Sequence, residues 1–121
     1  MAEQEFSSFA EFWPFYVREH SHPLNRALHF VGTTAAVGCV AVAAMGHWWL
    51  LPCAPIIGYG CAWVGHFVVQ KNRPATFKYP VYSFMGDFVM WSKIVTGKMG
   101  DEVRRAIAER EAVTGIAEAH N

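Results

Sequence analysis

The stretch Ala27–Val69, ALHFVGTTAAVGCVAVAAMGHWWLLPCAPIIGYGCAWVGHFVV, decides how this chain folds. It contains no Asp, Glu, Lys or Arg. It divides into two apolar runs, Ala27–Met45 and Trp48–Val69, joined by a short turn at Gly46-His47. Each run has the length of a bilayer crossing, about 20 residues. The reading is a transmembrane helical hairpin at the centre of an all-α integral membrane domain. Gly32, Ala35, Ala36 and Gly38 on the first run and Gly58, Gly60 and Gly65 on the second offer small surfaces for close helix contact in lipid. Trp48 and Trp49 stand at the turn, where an aromatic interfacial belt is expected.

The hairpin sets the depth of its histidines. His29 lies 18 residues before His47, and His66 lies 19 after it. At a rise of 1.5 Å per residue, both sit about 27 Å from the turn, at the open end of the hairpin. His20 precedes the first run at the same end. On one straight helix His20 and His29 would be about 13 Å apart and unable to share an ion. The break Ser21-His22-Pro23-Leu24-Asn25 lets the chain fold back, because proline disfavours helix in the residue before it. Asn25 is the expected N-cap of the next helix. Three imidazoles from separate segments at one polar mouth point to a metal site built from His20, His29 and His66, with His22 in the turn as a candidate fourth ligand. His47 belongs to the far end.

Outward from the hairpin, residues 5–20 repeat aromatics at Phe6, Phe9, Trp13 and Tyr16, marking one face of a helix. This helix lies on the membrane surface, packs against the hairpin, or does both. Pro14 splits or kinks it. Residues 81–95 form an apolar run too short for a full crossing and broken by Asp87, which suits a buried or partly inserted helix. Residues 101–113 read as an amphipathic helix, and the tail after Thr114 as frayed.

Composition narrows the function. Charged residues are only 17% of the 121, below the quarter typical of soluble domains, which again favours a membrane setting. Formal net charge is zero and there is no basic block, so a nucleic-acid partner is not expected. Cys39, Cys53 and Cys61 form no CxxC pair and read as small core residues rather than a disulfide or thiolate site. No cleavable leader is expected, since Glu3 and Glu5 stand where a basic start would. Arg18, Arg26, Lys71, Arg73 and Lys78 gather at the open end of the hairpin. The positive-inside rule places that end, both termini and the metal site in the cytoplasm, as for a protein of a bacterial inner membrane. The sequence sets no oligomeric state.

Around the histidines run two clusters, Tyr16-x3-His20-x-His22-Pro23-x-Asn25-x3-His29 and Gly65-His66-x3-Gln70-Lys71-Asn72-Arg73-Pro74-Ala75. Asn25 with His29, and His66 with Gln70, are four apart and share helix faces. Asn25 and Gln70 are therefore candidates for orienting the rings. Lys71 and Arg73 are membrane anchors or holders of an anionic head group. Asp87 either pairs with one of these cations, the favoured reading, or supplies a carboxylate ligand.

These paired clusters, FYVREHSHPLNRALHFVGT (Phe15–Thr33) and WVGHFVVQKNRPATF (Trp63–Phe77), resemble the 2-hydroxy fatty acid dioxygenases that act in phytosphingosine breakdown. The resemblance implies an integral membrane, iron(II)-dependent enzyme with His20, His29 and His66 as essential catalytic and metal-binding residues. The partners implied are a 2-hydroxy fatty acid, O2 and the lipid bilayer. Lys71, Asn72 and Arg73 would then seat the substrate carboxylate, and Tyr16, Asn25, Gln70 and Asp87 would support the ligands. The family pattern carries glutamate where this chain has Gln70. The reaction implied, loss of one carbon as CO2 in fatty acid alpha-oxidation, needs no nucleotide cofactor, in keeping with the lack of a glycine-rich nucleotide motif. Two other readings remain at this point: a haem-binding membrane electron carrier with histidines as axial ligands, and a non-catalytic lipid-binding membrane protein.

Overall fold

The computed structural model of the chain describes residues 5–119. It is all-helical, with five α-helices and, among the described residues, no strand. They are α1 (Phe9–Glu19), α2 (Pro23–Ala44), α3 (Cys53–Trp63), α4 (Pro80–Val95) and α5 (Met99–Ala119).

Helix α1 starts at Ser8, whose hydroxyl accepts the Glu11 N–H at 3.2 Å, while the Glu11 carboxylate accepts the Ser7 N–H at 3.0 Å. These reciprocal bonds satisfy donors that a helix start leaves free. Helix α1 runs through Pro14 without ending. Its aromatic face lies inside the protein: Phe12, Tyr16 and Val17 are buried with Met90 of α4 and Met99, Val103 and Ala106 of α5. Trp13 closes the edge by donating to the Glu102 carboxylate at 3.0 Å, which Lys93 also reaches at 3.1 Å. The aromatic repeat thus forms the core that roofs the histidines.

Helix α2 starts earlier than the charge-free run, with Pro23 in its first turn. The cap is His22, whose Nδ1 accepts the Leu24 N–H at 3.1 Å, and not Asn25, which lies buried inside the helix. Proline at the first helical position costs nothing because that N–H has no helical partner, so the helix starts two residues before the expected cap. At the far end Gly46 makes the turn at φ +114, and a single 3-10 turn, Trp48–Leu50, leads into α3. The two helices meet through small residues. A Cβ on Gly32 would stand 2.8 Å from the Cys61 Cβ, and Gly58 faces Ala36.

The second run is not one regular helix. After Trp63 it widens into a π-helical segment, Val64–Gln70, that ends at Lys71 with φ 57 and ψ 43. Such widened turns recur at functional sites, and this one carries His66. Two of the structure's segments, Pro23–Ala44 and Trp48–Gln70, are long and apolar enough to cross a membrane. Only 17% of the most apolar 18-residue stretch of each is buried in the protein, and Val31, Val37, Val40, Ile56 and Trp48 are exposed.

Helix α4 rests on α2, where Trp91 donates to the Thr34 hydroxyl at 2.9 Å. Helix α5 continues to Ala119, so the tail after Thr114 is helical rather than frayed as far as it is described. The three cysteines are free and half-buried, in line with packing roles.

Gly65 shows how tightly the site end is built. A Cβ there would stand 2.0 Å from Asn25 Oδ1 and 3.3 Å from the Asn25 Cα, whereas a Cβ at Gly38 meets nothing within 4 Å. We expect Gly65→Ala to lower unfolding stability by about 1–3 kcal/mol through overpacking. Gly38→Ala should be neutral or stabilising by up to about 1 kcal/mol. Thermal unfolding in detergent compares the two.

Candidate metal centre

The equal-depth argument holds in three dimensions. His29 comes from the second turn of α2, His66 from the π-helical segment and His20 from the C-cap of α1. The ring centroids are 4.3 Å (His20–His29), 4.5 Å (His20–His66) and 4.9 Å (His29–His66) apart. All three side chains are buried. The Nε2 atoms converge, with His20 3.1 Å from His29 and 3.0 Å from His66.

The outer nitrogens settle which ring atom carries each proton. His20 Nδ1 lies 2.7 Å from the Tyr16 carbonyl oxygen, and His29 Nδ1 lies 3.1 Å from the Asn25 carbonyl oxygen. Carbonyls only accept, so both nitrogens must donate. His66 Nδ1 lies 2.7 Å from Asn72 Oδ1. The Asn72 amide orientation is set in turn by its Nδ2, which donates to the Glu19 carbonyl at 2.9 Å and the Glu19 carboxylate at 2.7 Å. His66 Nδ1 therefore donates as well. Each neutral ring then presents a bare lone pair from Nε2 toward the other two. A doubly protonated His20 would relieve this, but burial, followed by the two neighbouring imidazoles, holds its pKa well below the usual imidazole range. Three nitrogen acceptors facing one another with no proton between them fit a bound cation.

The remaining expected residues fall into distinct places. Tyr16 stacks on His20 at 4.1 Å, and its hydroxyl donates to Asp87 at 2.5 Å. Asp87 therefore pairs with a phenol rather than with a cation, and it is not among the converging metal-ligating groups. Burial pushes its pKa up to about 6, against the pull of the Tyr16 hydrogen bond. Asn25 serves His29 through its backbone, while its side-chain amide donates to Gln70 Oε1 at 2.9 Å. Gln70 also accepts the His22 N–H at 3.2 Å and donates to Ser21 Oγ at 3.0 Å. It pins the Ser21-His22 turn rather than touching a ring. Asn72, expected at the substrate, instead holds His66 and Glu19. His22 is exposed and spends its Nδ1 on the helix cap, so it is not a fourth ligand. Lys71 and Arg73 are exposed and line neither the chamber at the histidines nor the groove that leaves it; Arg73 lies over the Phe77 ring at 5.3 Å.

Two cavities meet at the histidines. A chamber of about 20 Å³ is bounded by the three imidazoles together with Tyr16, Ser83 and Asp87. A groove of about 410 Å³ leaves it along the hairpin, from His29 and Asp87 past Ala36 and Gly58 to Val40 and Ala54. His29, Tyr59, Ala62 and Asp87 line both. Sequence reasoning missed Ser83 and Tyr59. Ser83 was within reach, being four residues before Asp87 and hence on the same helix face. The chamber leaves no slot for a porphyrin, because His20 Nε2 occupies the space that a haem between His29 and His66 would need. The haem-carrier reading is set aside on that ground.

The fold and site define an all-helical protein in which three buried histidines that could hold a metal ion stand where an apolar groove begins. The chain belongs to the 2-hydroxy-palmitic acid dioxygenase Mpo1-like family, whose model matches residues 6–99. No curated protein and no solved structure matches it.

Two measurements probe the centre. Replacing His20, His29 or His66 by alanine should abolish stoichiometric metal retention after dialysis, and Asn72→Ala should weaken metal affinity roughly 10–100-fold by freeing the His66 ring. His22→Ala should leave metal content unchanged. For Asp87, the folded state binds a proton more tightly than the unfolded chain, whose carboxyl titrates near 3.8. The contribution of Asp87 to the stability of the metal-free protein should therefore fall as pH rises from about 4 to about 6, against the opposite trend from His20, whose pKa is lowered. Asp87→Asn, which keeps an acceptor for Tyr16, should match the wild type below pH 4 and exceed it by roughly 2–3 kcal/mol at pH 7, as followed by denaturant unfolding.

Proposed function

We propose that this protein is a membrane-embedded, iron(II)-dependent dioxygenase that shortens 2-hydroxy fatty acids by one carbon. The observation that carries the reading is the convergence of three unprotonated Nε2 atoms beside an apolar groove. Family membership supports the substrate class. Two apolar segments with little of their surface covered support insertion in a bilayer, with the cationic mouth on the cytoplasmic side.

The reaction is balanced without an outside reductant. A 2-hydroxy acid and O2 give the acid one carbon shorter, CO2 and water. For 2-hydroxypalmitate the product is pentadecanoate. The iron, when bound, would supply Lewis acidity and one-electron chemistry toward O2. The residues of the chain do the rest. His20, His29 and His66 hold the ion as neutral ligands, so its full positive charge is available to attract the substrate carboxylate. The Tyr16 and Asn25 carbonyls and the Asn72 amide keep each ring in the tautomer that leaves Nε2 free. Phe12, Tyr16 and Val17 of α1 roof the centre and exclude bulk water. From His29 to Val40 the groove follows eleven residues of helix, about 16 Å. That length accommodates an extended acyl chain of roughly a dozen methylenes, laid parallel to the lipid tails. Lys71 and Arg73, exposed at the mouth, suit membrane anchoring and the first capture of an anionic head group rather than contact during chemistry.

The test is anaerobic reconstitution with ferrous iron, admission of O2, and mass analysis of the products of 2-hydroxypalmitate. Pentadecanoate and CO2 in equal amounts are expected. Recovery of unchanged substrate from iron-loaded protein would leave the lipid-binding alternative in place. Ala36→Phe, which fills the groove at mid-length, should depress turnover of long-chain substrates at least tenfold while sparing chains of eight to ten carbons, roughly, that end short of it.

A further inference from the structure

Helix α4 brings two polar groups to the chamber, and the metal site uses neither. Ser83 is 3% exposed, and its hydroxyl has no hydrogen-bond partner among the described residues. A buried hydroxyl left unpaired costs stability, and a serine inside a helix commonly bonds back to a carbonyl of the preceding turn. This one does not. It lines the chamber of about 20 Å³ opposite the three imidazoles. Asp87, one turn further along the same face, gives one carboxylate oxygen to the Tyr16 hydroxyl. The other oxygen has no partner among the described residues. Asp87 lines both the chamber and the groove, so it stands at their junction. Gly86, between the two, lets α4 approach the site: a Cβ there would come within 2.9 Å of the Tyr16 ring.

One unused donor and one unused acceptor, separated by a helix turn, bound a space with room for a single oxygen-sized group. An alcohol is the group that satisfies both at once, since it accepts through oxygen and donates through hydrogen. A carboxylate would satisfy Ser83 but confront Asp87 with like charge. A methylene would leave both unpaired.

We propose that Ser83 and Asp87 form the subsite that reads the substrate's 2-hydroxyl, Ser83 donating to its oxygen and Asp87 accepting its proton in a hydrogen bond. This rests on the reading of function above and adds to it the origin of selectivity for hydroxylated over plain fatty acids. A site whose buried polar groups are matched to a hydroxyl discriminates strongly against the analogue that lacks it, because that analogue strands them. The acyl chain contributes affinity to both acids alike, through the groove.

The experiment is binding without turnover: calorimetric titration of the iron-loaded, detergent-solubilised protein under argon with 2-hydroxypalmitate and with palmitate. The wild type is expected to prefer the hydroxy acid by tenfold or more. Ser83→Ala should lower affinity for 2-hydroxypalmitate about tenfold and leave palmitate unchanged, which erases most of the preference. Because the variant removes an unpaired buried hydroxyl, its melting temperature should be equal or higher and its iron content unchanged. A purely structural serine would not give this combination. Equal loss of affinity for both acids, or an unaltered preference, overturns the proposal, as does a loss that tracks a fall in melting temperature or iron content. A wild type that binds both acids equally overturns it while leaving the reading of function standing. A wild type that binds neither overturns both.

Discussion

Three imidazole nitrogens, two of them about 3 Å from the third and all within 4.8 Å of one another, repel through their lone pairs unless positive charge lies between them. The chain goes to some length to create this condition. Each outer nitrogen is given an acceptor, two of them backbone carbonyls, and this forces every proton away from the centre. The rings are then buried, which removes the option of relieving the repulsion by protonating one of them from water. A fold that needed only three core histidines would let at least one Nε2 donate. This arrangement makes sense as a receptor for a cation, and the apolar groove that begins at the same point makes sense as a receptor for the molecule on which that cation acts.

The architecture follows from the need to bring three distant residues to one depth. A hairpin of nearly equal arms puts His29 and His66 at the same level, and close packing across Gly32 and Gly58 brings them within reach. The widened π-helical turn then adjusts the end of the second arm, and the left-handed Lys71 swings the chain so that Asn72 reaches back to His66. His20 arrives from another element. It is held by the Ser21-His22 turn, which Gln70 and Asn25 tie to both arms. Helix α4 closes the remaining side with small or polar residues, Ser83, Gly86 and Asp87, where larger ones would fill the chamber. Gln70 closes the π-helical end of the second arm. Here a neutral amide makes four hydrogen bonds that need both a donor and an acceptor, so its role in this chain is to lock the turn.

Much of this was legible in the sequence, and the misreadings share a cause. The depth of the histidines follows from counting along two helices, because helical rise is nearly constant. The need for His20 to fold back follows from Pro23. What counting could not reveal was the direction of individual side chains. Asn25 is the residue type that favours an N-cap, yet the turn gives the capping hydrogen bond to His22. Asn72, flanked by Lys71 and Arg73, read as part of a cationic substrate clamp, but a left-handed residue before it turns it inward. Asp87 drew attention as a charge in an apolar run, and its partner proved to be the hydroxyl of a tyrosine 71 residues away. Ser83 passed unnoticed although it stands one turn before Asp87 on the same helix face; what marks it is a buried hydroxyl without a partner among the described residues.

The claim on which all of this depends is that three imidazoles grip one ion. X-ray absorption at the iron edge of the reconstituted protein tests it most directly, since the multiple scattering of imidazole rings counts the histidine ligands. The account expects three such rings in the wild type and no stoichiometrically bound iron in a variant lacking any one of His20, His29 or His66. A spectrum with one ring or none, or with the signature of a porphyrin, would contradict it.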